Sequence, residues 1–178
     1  MRIRSALAAA AFAALTVPGA PATAQDGGLY DQMQARHIGP AGMSGRVSAV
    51  DVVLSDRNQI YVASATGGVH KSEDGGLTWN PVFDDEHTLG MGAVAVFQPN
   101  PDIVWAGTGE GNPRNSAGVG RGIWKSIDAG RTWRWMGLEE SERIHRIVPH
   151  PTDPDVVYVG AMGPAWSDGR QRGVYKTT

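Results

Sequence analysis

The sequence predicts an all-β protein built from repeated four-stranded antiparallel sheets, and three observations predict it. The first is a copied nonapeptide. "KSEDGGLTW" at 71–79 and "KSIDAGRTW" at 125–133 share six of nine positions, in the same order. The second is a period. Tyr61, Trp105 and Tyr158 hold one column, and Ser72, Ser126 and Thr177 hold another, spaced 54 and then 51 residues apart. A unit of that length with about four short strands is the size of one β-propeller blade. The third is composition. With 24 Gly and 11 Pro against 19% charged residues, the chain suits short strands and tight turns rather than a helical bundle.

The elements follow in chain order. Residues 1–24 read as a secretory signal peptide: a basic "MRIR", the apolar run "ALAAAAFAALTV", then "PGAPATA" with Ala22 and Ala24 framing Thr23. The apolar run is too short to span a bilayer. Cleavage is expected between Ala24 and Gln25, which places the mature chain in the periplasm or outside the cell. Residues 25–40 form a lead-in. A partial propeller then occupies 41–178, with blades at about 41–86, 87–140 and 141–178, the last incomplete. The chain has no cysteine, so an exported form relies on packing and hydrogen bonds. A net charge of -2 gives no reason to expect nucleic acid as partner.

Within a blade, the inner strand comes first ("RVSAVDVVL", "GAVAVFQ", "RIHRIVPH") and the Tyr/Trp strand second ("QIYVASATGG", "DIVWAGTGEG", "DVVYVGAMGP"). The third is "GVHKS", "GIWKS" or "GVYKT", and the fourth is "TWNPVF" or "TWRWMGL". Ser72, Asp74, Gly76, Thr78 and Trp79, and their copies Ser126, Asp128, Gly130, Thr132 and Trp133, then fall where the third strand turns into the fourth. There an Asp accepts hydrogen bonds from backbone N–H groups two or three residues on, and Gly takes positive φ without steric cost. Thr and Trp re-enter a strand. The two aspartates lie in separate blades, so they are expected to staple the fold. A catalytic carboxylate pair must approach within roughly 5–10 Å.

The alternating strands put these turns at one end of the sheets. The connections between second and third strands lie at the other end, where the repeats diverge. Eleven residues separate Tyr61 from Ser72, but 21 separate Trp105 from Ser126 and 19 separate Tyr158 from Thr177. Insertions over a constant scaffold are where binding usually sits. "GTGEGNPRNSAGVGRG" carries Glu110, Asn112 and Arg114, and "MGPAWSDGRQRG" carries Trp166. Arg46 and Arg143, each 15 residues before its blade's Tyr, are expected to edge a central channel, each bonding carbonyls of the next blade. The alternative has the two holding one anionic group between them. Arg46, Glu110, Asn112, Arg114, Arg143 and Trp166 are the candidate ligand-binding residues. No catalytic set, metal site or cofactor is expected. The five histidines lack ligand spacing, and "GTGEGN" is not a dinucleotide fingerprint.

The repeated nonapeptide matches the pattern Ser-x-Asp-x-Gly-x-Thr-Trp. From about Ala35 onward, "RHIGPAGMSGRVSAV", "SATGGVHKSEDGGLTW", "GTGEGNPRNS", "MGLEESERIHRIVPHPTDPDVVYVGAMG" and "GVYKTT" resemble the sortilin-like Asp-box (BNR-repeat) exported propeller proteins of bacteria. Such proteins are often labelled glycosyl hydrolases. The resemblance implies a longer protein with further blades, and a binding role toward a peptide, protein or glycan. The alternatives it leaves open are a sialidase-like or xyloglucanase-like glycoside hydrolase, or an inactive structural piece. Xyloglucanase-like sequences open the second inner strand with "GVDS", whose Asp is catalytic. The comparable stretch here is "GMGAV", with Gly92 at the Asp position.

Overall fold

The computed structural model describes residues 46–177. The expected signal peptide at 1–24 and lead-in at 25–40 lie outside the described residues. Three antiparallel sheets follow one another along the chain. The first holds β1 (Val47–Val52), β2 (Ile60–Ser64), β3 (Gly68–Ser72) and β4 (Asn80–Pro81) in sequential order. The second repeats this with β5 (Met91–Val96), β6 (Val104–Thr108), β7 (Ile123–Ser126) and β8 (Arg134–Trp135). The third comprises β9 (Ile144–Pro149), β10 (Val157–Ala161) and β11 (Gly173–Lys176). The fold is all-β, and its sheets are propeller blades.

Period-2 alternation explains how the sheets stack. On β5, Met91, Val94 and Val96 pack toward the first sheet with Tyr61, Ala63, Val69 and Phe83. Ala93 and Ala95, with Phe97 just beyond, pack the other way, onto Ile144, Ile147, Val157 and Val159 of the third sheet. The middle blade is covered on both faces, so every residue of β5 and β6 is buried. Two further ties cross between the first and second blades. Asp51 Oδ2 accepts the Val96 N–H at 2.7 Å, and the Tyr61 hydroxyl donates to the Ala129 carbonyl at 3.1 Å.

The fourth strands are shorter than the sequence suggests. Only Asn80–Pro81 and Arg134–Trp135 are paired, and Thr78 and Trp79 stay in the turn. The cause is competition for backbone donors. The Thr78 and Thr132 N–H groups go to the aspartate before them, at 2.9 Å in each copy, and are lost to the ladder. Pro81 then brings no N–H of its own.

Candidate functional site

The two ends of the sheets are built by different means. At one end sit the Asp turns. Ser72 Oγ donates to Asp74 Oδ1 at 2.8 Å and accepts the Gly76 N–H at 2.8 Å. Asp74 also accepts the Thr78 hydroxyl at 2.6 Å. Ser126, Asp128, Gly130 and Thr132 repeat every one of these bonds. The aspartate's main backbone donor stands four residues on, with Leu77 and Arg131, three residues on, adding a weaker one; the serine hydroxyl takes the N–H two residues on. The Thr78 and Thr132 hydroxyls, first among several donors, hold the two carboxyls at about 2. An acid that strong keeps no proton to give at neutral pH, and the two lie in different sheets.

At the other end, residues 109–122 of the second blade and 162–172 of the third lie side by side. The first loop is clamped to its neighbours through the backbone. Gly109 N–H donates to Gly90 O at 2.6 Å, Glu110 N–H to Gly118 O at 3.0 Å, and Gly120 N–H to Glu142 O at 2.7 Å. Gly109 has φ +85, and a Cβ there would stand 1.8 Å from the Glu142 carbonyl oxygen. The glycines that look like loop slack in the sequence are contact points where backbone meets backbone.

Glu110 is the pivot of this loop. It is 0% exposed, and its two carboxylate oxygens accept from Arg46, Oε1 from Nε at 2.7 Å and Oε2 from Nη2. This side-on bidentate pair joins the start of the first blade to the insertion of the second. It holds the Glu110 carboxyl below the usual carboxylate range, and raises Arg46. Arg143 is buried at 5% exposure and donates from Nη1 to Glu142 at 2.9 Å. Neither the carbonyl bonding expected of Arg46 and Arg143 nor the alternative of a shared anion is what the structure shows. Each guanidinium already has its own carboxylate, and the two line different clefts. Arg46 meets a carboxylate of the next blade rather than its carbonyls.

All six candidate residues nevertheless border this end. A cleft of about 200 Å³ is lined by Glu110, Asn112, Arg114, Arg143, Met162, Pro164, Trp166 and Arg172, among others. A more open hollow of about 580 Å³ is lined by Arg46, Asn112, Pro113, Arg114, Asn115 and Ser116. Asn112, Pro113 and Arg114 are common to both. The Trp166 indole is 76% exposed at the narrow cleft. The narrow cleft falls below the roughly 300–1,000 Å³ of drug-sized pockets, so it suits one ring or one side chain. Sequence reasoning missed Pro164 as a wall residue. The Arg172 Nη2 donates to the Pro164 carbonyl at 2.5 Å and so closes the second loop on itself. Among the described residues no cluster of His, Asp, Glu or Cys is arranged for a metal ion.

Position 92 bears on hydrolase chemistry. A Cβ on Gly92 would stand 2.3 Å from both Gly109 O and Ile144 O. No aspartate fits there without moving the backbone.

No family model matches the sequence. A probable oligoxyloglucan-reducing end-specific xyloglucanase of Neosartorya fischeri is 32% identical over 113 residues, which is 61% of this chain and 13% of that protein. Among solved structures, an ancestral GH74 enzyme superposes with TM-score 0.55 at 22% identity, covering 74% of this chain and 17% of its own. The GH74 xyloglucanase from Xanthomonas campestris gives 0.53 at 20% identity, covering 75% and 19%. YCF48 from Cyanidioschyzon merolae gives 0.52 at 17% identity, covering 78% and 38%. The chain thus spans well under half the length of each of these proteins. The structural likenesses establish the fold, and the sequence likeness is to a small part of one probable xyloglucanase.

Proposed function

We propose that these blades form a glycan-binding surface of an exported propeller protein, using the loops 109–122 and 162–172. One observation carries the reading: Trp166 stands 76% exposed beside a cleft walled by Asn112 and arginines. An exposed indole offers a flat face for a sugar ring, and the amide and guanidinium groups around it suit ring hydroxyls. The sequence likeness to a xyloglucanase supports carbohydrate over peptide or protein as ligand. In full-length protein, W166A lowers affinity for a bound oligosaccharide at least tenfold without altering the melting temperature. Isothermal titration against a panel of neutral and charged oligosaccharides measures this. Equal affinity in wild type and W166A for every ligand would defeat the reading.

A second reading, glycoside hydrolysis, is favoured by the same relative. In that reading the blades described here supply substrate contacts, and the proton donor stands elsewhere. Glu110 is held ionised by Arg46 and is out of solvent, which is the wrong state for a general acid. Release of new reducing ends from xyloglucan by the full-length protein, undiminished in E110Q, is the result this reading predicts.

A further inference from the structure

The charge around the narrow cleft is not balanced. Glu110 is the only carboxylate among the residues lining it, and Arg46 already occupies both of its oxygens. Arg143 is matched by Glu142. Two guanidinium groups remain, one from each loop. The Arg114 side chain is exposed and makes no hydrogen bond or ion pair among the described residues. Arg172 bonds only the carbonyls of Pro164 and Ser167, which fix its position but leave its charge unmet. Both line the cleft at which Trp166 is exposed. The excess is local, since the chain as a whole carries -2.

Chemistry narrows what such a place accepts. A neutral sugar needs a flat apolar face and a few donors, which Trp166 and Asn112 already provide. It can use the guanidinium N–H groups as donors to its hydroxyls, but gains nothing from their charge. A carboxylate on the sugar ring would accept charge-assisted, forked hydrogen bonds from a guanidinium while the ring lies on the indole. The cleft volume of about 200 Å³ matches one such ring rather than a long chain segment.

We infer that this cleft is a subsite for an acidic sugar, a uronate-type residue whose carboxylate is taken by Arg114 and Arg172 while its ring stacks on Trp166. The inference rests on the glycan-binding reading. It adds a charge requirement that the reading does not contain.

The test uses the full-length protein and three probes: an oligogalacturonate, a neutral xyloglucan oligosaccharide of similar length, and a short poly-glutamate peptide. Affinity is measured by titration calorimetry at low and at high salt. The oligogalacturonate binds at least tenfold tighter than the neutral sugar at low salt, and this advantage shrinks as salt rises. R114Q removes about tenfold of the oligogalacturonate affinity and costs the neutral sugar far less, because glutamine still donates to a hydroxyl but carries no charge. Arg114 is exposed, so R114Q folds normally, and R114K recovers part of the loss by restoring the charge. Equal or tighter binding of the neutral sugar overturns the inference while preserving the glycan reading. Failure of both sugars to bind overturns both. Tighter binding of the glutamate peptide than of the uronate also overturns the inference, in favour of an acidic peptide. An R114Q variant with unchanged oligogalacturonate affinity overturns the role given to Arg114.

Discussion

The Asp-turn end and the insertion end of the same sheets use their polar groups in different ways. At the Asp-turn end the Ser, Asp, Gly and Thr bonds are local, made within one nonapeptide, and repeated bond for bond in the next blade. At the insertion end, bonds also run between blades. Arg46 meets Glu110, and Gly120 meets Glu142. Local bonds recur because each blade has to make its own hairpin. Interblade bonds need not recur, and here they do not. The lesson is that repetition marks scaffold, and departure from repetition marks the place where blades are joined and a ligand is met.

The largest effect is expected where backbones touch at the insertion end. G109A places a methyl group 1.8 Å from the Glu142 carbonyl at a φ of +85. Overpacking and left-handed strain together cost about 3 kcal/mol. A urea titration should show the midpoint falling sharply. A loss below about 1 kcal/mol would mean that the blades are not in the close contact described. The equivalent test at the Asp-turn end, G76A, meets only the Trp79 ring edge at 3.5 Å, so its cost comes from φ alone.

Next in size is the ion pair, and its two halves are unequal. Glu110 is fully buried, whereas the Arg46 side chain is 36% exposed. R46M leaves a carboxylate in the interior without its cation, and the melting temperature falls by several degrees. E110Q leaves a guanidinium that turns toward water, so the fall is smaller. R46M also makes stability depend on pH near neutrality, because Glu110 then takes up a proton. Equal losses in the two variants would show that Glu110 is not shielded from solvent.

The aspartates come third, and acid exposes them. Both carboxyls sit at about 2 in the fold, against about 3.9 for a free Asp. A depressed value means that the stabilisation is complete above pH 4 and is lost as pH falls through 2. The urea midpoint should decline across that window, and D128N should flatten the decline. D128A at pH 7 costs about 1 kcal/mol, a modest figure because the turn is largely solvent-exposed. The D74A loss is smaller still. The second turn is also tied outward, through Ala129 N–H to Asp102 O at 2.9 Å and Ala129 O to the Tyr61 hydroxyl. The first turn has only the Gly75 N–H to Asn58 O bond at that place.

How much of this was readable in advance follows the same division. The blades, their strand order and the turn residues were legible because period and motif were written twice. A pairing of the second-strand aromatic with the third-strand lysine could also have been read from the columns. Lys71 lies 5.6 Å from the Tyr61 ring, Lys125 5.0 Å from Trp105 and Lys176 5.8 Å from Tyr158. The insertion end was legible only as a list of residues. Arg46 and Glu110 are 64 positions apart, and Glu110 lies in an insertion that the first blade lacks, so nothing in spacing links them. Both readings of Arg46 and Arg143, carbonyl bonding and a shared anion, failed for that reason. They assigned each arginine by its equivalent position, when their partners are set by neighbours that are not equivalent. The fourth strands were overdrawn because donor competition in the turn is invisible to a pattern of apolar residues.

The smallest expected effect is the sharpest probe of equivalence between the two turns. Position 75 is glycine with φ +74, and its counterpart Ala129 takes φ +59, one of three non-glycine residues with positive φ among those described. An alanine in the left-handed region is strained by roughly 1 kcal/mol relative to glycine. If the turns are copies in energy as well as in geometry, A129G stabilises the protein and G75A destabilises it, each by about 0.5–1 kcal/mol. The outward ties of Ala129 run through its backbone N–H and carbonyl, which glycine keeps, so A129G should lose none of them. Opposite signs of similar size in paired urea titrations would establish the copy. A neutral A129G would mean that the buried methyl group, 8% exposed, contributes packing that offsets its backbone strain. In that case the two turns share hydrogen bonds but not energetics, and the second turn is better regarded as part of the joint between blades.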